Sequence, residues 1–178
     1  MPQKIIWCFG IYNQFLEVLS SEFPNIILLP NFPSQEELDK YCDGKTHCLL
    51  VLDDMLSSLQ TDNKQILNLF TRYARHKALT IFYLNQNTFQ VSRTINLQAS
   101  VHILLHPGRD FQNFRTLGSQ IYGAGAGSAL IKIWHDVEKF MKYPYIVLTT
   151  TPNVEKHLKI LTNIFRGQDL ISYIINQQ

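Results

Sequence analysis

Cys48-Leu49-Leu50-Val51-Leu52-Asp53-Asp54 decides how the rest of the chain is read. Five apolar residues run without interruption and stop at two adjacent carboxylates. A strand that is apolar on both sides fits a parallel sheet covered by helices on both faces, because a half-solvated strand alternates instead. Two more runs share that form: Lys4 to Phe9, stopped by Gly10, and Leu79 to Leu84, stopped by Asn85-Gln86-Asn87.

The segments between these runs read as helices. Phe15, Leu16, Leu19 and Phe23 recur at helical spacing, and Pro24 ends that stretch. Asn25 to Leu29 is another apolar run, closed by Pro30. Ser34-Gln35-Glu36-Glu37 is a capping box that predicts a helix to about Tyr41. Asp62 caps a helix over Asn63 to His76, striped by Ile66, Leu67, Phe70, Tyr73 and Ala74. Further on come a strand at Val101–Leu105, a helix at Phe111–Ile121, a glycine-rich turn, a helix at Ala129–Lys142 and a strand at Tyr145–Thr149. Val154 to Ile164 fits strand and helix equally. The alternation predicts an α/β fold, a mainly parallel sheet with helices on both faces. The 178 residues predict one domain, 1–178, with no repeat or linker.

Composition bounds the function. With 46% apolar and 17% charged residues the chain is not disordered. No apolar run reaches the ~18–20 residues of a bilayer span, and Met1-Pro2-Gln3-Lys4 lacks signal-peptide order. A soluble, intracellular protein without a membrane partner is expected. Three cysteines, Cys8, Cys42 and Cys48, form no disulfide framework, and Cys42, His47 and Cys48 lack zinc-ligand spacing, so buried thiols are expected. Residues 1–62 carry a net −6 and residues 63–178 a net +8. That asymmetry is either an unevenly charged surface or the mark of an anionic partner; for duplex DNA it predicts weak, salt-sensitive phosphate contacts.

In open α/β sheets ligands bind at the carboxyl ends of strands. There the chain places Asp53, Asp54, Asn85, Gln86 and Asn87. The 49–54 run has the form of a Walker B strand. Asp53 would hold Mg²⁺ through water beside a nucleotide's phosphates, and Asp54 would polarise the attacking water. The same residues also read as a strand closed by an aspartate-rich turn. Asn85 and Gln86 suit a γ-phosphate sensor, since amides both donate and accept; they also suit a polar turn. Gly123-Ala124-Gly125-Ala126-Gly127-Ser128 lacks the lysine of a phosphate loop and the spacing of a dinucleotide loop, and reads as a connector. Arg72, Arg75, His76 and Lys77 either complement a helix dipole or contact phosphates.

The order of these pieces resembles the FtsK–HerA superfamily of P-loop ATPases. Within it, the chain is most similar to genome-packaging ATPases of double-stranded DNA viruses and Polinton/adintovirus-type elements. Lys4 to Gly10 is similar to the strand after the P-loop helix, Leu49 to Met55 to the Walker B run, and Leu69 to Lys77 to a helix ending in histidine and base. Ile81 to Phe89 is similar to the sensor strand, with Asn85 where threonine is usual; Arg93, Asn96-Leu97, Arg109-Asp110, Tyr145 to Leu148 and Thr162 to Phe165 fit the remainder. The resemblance implies a RecA/ASCE-like core that binds ATP and Mg²⁺ and forms a homo-oligomeric ring. That ring translocates double-stranded DNA, with viral capsid proteins as further partners and the host nucleus or virion as location. It assigns Asp53 to the metal, Asp54 to water activation, Gln86 to the sensor and Asn85 to binding the nucleotide. Arg72, Arg75 or Arg93 would face DNA or a neighbouring subunit's nucleotide.

Two departures qualify what it implies. The family's Walker A strand, loop and helix precede the Lys4 strand and are not in this sequence, and Leu161 and Thr149 stand where the family has arginine and aspartate. A core missing its first strand and phosphate loop is expected, from a fragment or a degenerate copy, binding ATP weakly or not at all. The Leu79–Leu84 strand should pair in parallel with Cys48–Leu52, with a gap or a pairing to Val101–Leu105 on its far side. The rival readings are a non-catalytic module binding partner subunits or DNA, and an unrelated flavodoxin-like domain.

Overall fold

The computed structural model describes residues 2–55, 63–85, 93–106 and 111–175. They fall into two compact units, Met1–Gln98 and Ala99–Gln178.

The first unit is a parallel α/β sandwich. Strands β1 (Lys4–Phe9), β2 (Ile26–Pro30), β3 (Cys48–Asp53) and β4 (Leu79–Leu84) lie in the order β2-β1-β3-β4, all parallel. As expected, β4 pairs with β3, from Cys48 opposite Leu79 to Asp53 opposite Leu84. Helices α1 (Gln14–Glu22) and α2 (Gln35–Tyr41) make the first crossovers. The third helix, α3, runs from Asn63–Asn68 through a π-helical stretch at Leu69–Tyr73 to Ala74–His76. A short helix, α4 (Arg93–Gln98), follows β4.

Local chemistry sets these boundaries. The Asn13 side chain accepts the Leu16 N–H at 3.2 Å and starts α1. The capping box forms as read: the Ser34 N–H donates to Glu37 Oε2 at 2.7 Å, and the Glu37 N–H donates to Ser34 Oγ at 3.2 Å. Period-two alternation then divides each strand between two faces. Ile6, Cys8, Leu50 and Leu52 turn one way and bury against Leu38 of α2, Ile66 and Leu69 of α3 and Ile95 of α4. Trp7 turns the other way and meets Phe15 of α1 edge-on, with ring centroids 5.8 Å apart. Helices therefore pack on both faces, although Phe82 and Leu84 of β4 stay exposed on the Trp7 face. The three cysteines are buried thiols in this unit, and burial pushes Cys8 and Cys42 up to about 12.

The second unit departs from the expected parallel arrangement. Strands β5 (Val101–Leu104), β6 (Ile146–Thr149), β7 (Ile160–Thr162) and β8 (Ile171–Tyr173) lie in the order β5-β6-β7-β8, and every pairing is antiparallel. The cause lies in the connection between β5 and β6. A single crossover helix returns the chain for a parallel strand. Two helices in a hairpin, α5 (Phe111–Tyr122) and α6 (Ala126–Val137), bring it back to the end it left, so β6 runs the opposite way. Gly123-Ala124-Gly125 is the turn of that hairpin, with φ of 92° and 85° at its glycines; the rest of the stretch read as a connector, Ala126-Gly127-Ser128, instead opens α6, which ends at Val137 rather than near Lys142. Leu130, Trp134 and Val137 of α6 bury with Phe114 and Leu117 of α5 against Ile146, Leu148 and Ile160 of the sheet. The undecided 154–164 segment is a 3₁₀ turn at Lys156–Leu158 followed by β7. Among the described residues no helix is long and apolar enough to cross a membrane.

Candidate functional site

The register of the parallel sheet brings the strand ends level. Phe9 lies opposite Asp53, and Asp53 opposite Leu84, so Gly10, Asp54 and Asn85 follow at one edge of the sheet. The β3–β4 ladder continues one step past the strands, where the Asp54 N–H donates to the Leu84 carbonyl at 3.3 Å. At Gly10 the chain passes so close that a Cβ would lie 3.4 Å from the Asp54 carbonyl oxygen.

The two carboxylates sit in different surroundings. Asp53 is half-buried, and the indole N–H of Trp7 donates to its Oδ2 at 3.3 Å. Asp54 is exposed and takes a left-handed conformation, φ 50°, which aspartate adopts more readily than most residues. Met55, fully buried, then anchors the chain back into the core. The turn thus lifts Asp54 into solvent between two anchored neighbours. Its charge still reaches Tyr83 of β4: burial first, and then the Asp54 carboxylate, push that phenol up to about 12. The Tyr83 ring packs edge-on against Phe70 of α3.

The other predicted residues are placed less uniformly. Asn85 is half-buried beside this edge, directly after β4. Gln86 lies outside the described residues. Arg72 and Arg75 are exposed on the later part of α3, and Arg75 donates to Gln98 Oε1 at 3.3 Å. That helix ends where β4 begins, so Arg75 belongs to the amino edge of the sheet and the acids to the carboxyl edge. Arg93 opens α4, and its side chain is outside the described residues. The structure therefore brings together Asp53, Asp54 and Asn85, and does not bring Arg75 to them. Trp7 was missed: within the sequence it is one apolar residue of a strand, and nothing there says that β1 borders β3.

Among the described residues no three His, Cys, Asp or Glu side chains converge as metal ligands, so a protein-only cage is not built here. A hydrated Mg²⁺ asks less of the protein. It keeps several waters and takes one or two carboxylates together with substrate phosphates. A half-buried Asp53 with one oxygen held and an exposed Asp54 beside it fit that demand. No protein-family model, curated protein or solved structure matches the chain.

Proposed function

We propose that this chain carries the metal-and-water side of an ATP-hydrolysing site in a P-loop core of the genome-packaging type, whose turnover drives double-stranded DNA through a homo-oligomeric ring. The observation that carries it is the adjacency of β3 and β4 in full parallel register, which sets Asp53-Asp54 beside Asn85 at one edge of the sheet. Asp53 holds the hydrated cation, and Asp54 takes a proton from the attacking water. Asn85 and Gln86 orient that water by donating and accepting. Arg72, Arg75 or Arg93 serves a neighbour's nucleotide or the DNA. When bound, Mg²⁺ supplies charge neutralisation to the transferring phosphoryl group.

One edge strand supports the same reading. The resemblance places the phosphate-loop strand beside the sensor strand, and β4 ends its sheet among the described residues, so its outer backbone edge is open to a further strand.

A second reading is a non-catalytic module binding partner subunits or DNA: a G-x-x-x-x-G-K-[ST] elsewhere in the gene product favours the enzyme, and a gene product without one favours the module. Turnover of Mg-ATP by the full gene product with duplex DNA separates the two. Asp54→Asn should lower turnover by about a hundred-fold or more. Absence of turnover in the unaltered product selects the module, and turnover that survives Asp54→Asn contradicts the ATPase reading.

A further inference from the structure

We propose that Trp7 is the positioning residue of Asp53: its indole N–H fixes Oδ2 and leaves Oδ1 directed to a hydrated divalent cation at the carboxyl edge of the sheet. This rests on the metal role given to Asp53 above.

Geometry supplies the first argument. Trp7 sits opposite Val51 in the β1–β3 pairing, and Asp53 lies two residues further on the same face. Reaching it takes a long side chain with a donor at its tip, and the Trp7 Nε1–Asp53 Oδ2 distance is 3.3 Å. The indole is held in place: Phe15 meets it edge-on at an interplanar angle of 65°, and Phe15 belongs to the first turn of α1, which Asn13 caps. A half-buried indole N–H needs a partner, and here the partner is the acid at the candidate site.

Charge supplies the second argument. Asp39 shows the alternative: it lies 2.8 Å from Lys77 Nζ across the fold, besides accepting from the Tyr73 hydroxyl at 2.9 Å. A carboxylate held by lysine or arginine has its charge spent on the protein. Trp7 is neutral, so it orients Asp53 while leaving the full negative charge for a cation. Among the described residues only Trp7 is found bonding to that carboxylate.

The test uses the 178-residue chain and two readouts. The first is the Trp7 indole cross-peak in a ¹H–¹⁵N spectrum, assigned by its loss in Trp7→Phe. It should move upfield, toward a solvent-exposed indole, in Asp53→Ala and stay in place in Asp54→Ala. The second is Mn²⁺ affinity from water-proton relaxation. Trp7→Phe, which keeps the ring against Phe15 and removes the donor, should weaken Mn²⁺ by about three- to ten-fold, the worth of one hydrogen bond. Its thermal melt should stay close to that of the unaltered chain. An indole signal unmoved by Asp53→Ala, or a Trp7→Phe affinity equal to the unaltered chain's, overturns the proposal. If Asp53→Ala moves the indole but leaves Mn²⁺ affinity intact, the contact is real and the metal role of Asp53 is what fails, taking the proposal with it.

Discussion

Ala78 occupies a position that glycine usually takes. It follows the last turn of α3 with φ 47°, and its carbonyl accepts the Cys48 N–H at 3.1 Å, so the left-handed bend joins the helix to the sheet. An L-residue pays about 1–2 kcal/mol for that conformation. Ala78→Gly removes the strain and adds some unfolded-chain entropy, so a net gain of about 0.5–1 kcal/mol is expected in thermal or urea unfolding; a loss of stability would contradict the strained bend. Asp43 gives a pH dependence. Its carboxylate accepts the backbone N–H groups of Thr46 at 2.7 Å and Lys45 at 2.9 Å, and these hold it down at about 2. Because the folded value lies below the unfolded ~3.9, the contribution is complete above that value and is lost as pH falls toward 2. Asp43→Ala should therefore destabilise the chain at pH 6, and the difference should shrink between pH 4 and pH 2. A difference independent of pH would refute it. At this scale the placing of Asp53 and Asp54 at a strand end was readable, because the pair closes one apolar run. Trp7 was not: β1 lies between β2 and β3, and that order leaves no mark in the residues themselves.

Elements bounded by strong local chemistry were readable nearly to the residue. The capping box at Ser34, the run ended by Gly10 and the strand from Leu79 to Leu84 stand where the sequence put them. Short elements were missed: α4 offers only Ile95 and Leu97 as apolar positions, and β8 is three residues long. The antiparallel second sheet was implicit in the order strand, helix, turn, helix, strand, because a helical hairpin returns the chain to its starting end. The hairpin itself depends on close backbone approach. A Cβ on Gly127 would lie 2.2 Å from the Arg115 carbonyl oxygen, whereas one on Gly125 would meet nothing within 4 Å. Gly127→Ala must force α5 and α6 apart and should cost about 2–3 kcal/mol or more. Gly125→Ala, which suffers only its φ of 85°, should cost about 1–2 kcal/mol. Chemical denaturation ranks the two, and an equal or reversed order would show that the helices are not in contact there.

At the scale of the molecule, charge and architecture divide the chain differently. The sequence changes sign near residue 62, but the compact units carry −1 over residues 1–98 and +3 over residues 99–178. The basic excess is thus shared between the later part of the first unit and the second. No linker composition marks the junction, because only Ala99 and Ser100 separate α4 from β5. The candidate functional site lies at one edge of the first unit, where register sets Gly10, Asp54 and Asn85 one step past Asp53. Paramagnetic broadening by Mn²⁺, followed residue by residue in a ¹H–¹⁵N spectrum, is the most direct probe of that edge. Substoichiometric Mn²⁺ should erase the amide signals of Gly10, Asp53, Asp54 and Asn85 first, and Asp53→Asn should abolish the selective loss. Broadening centred elsewhere, or unchanged by Asp53→Asn, would contradict a cation site at the end of β3.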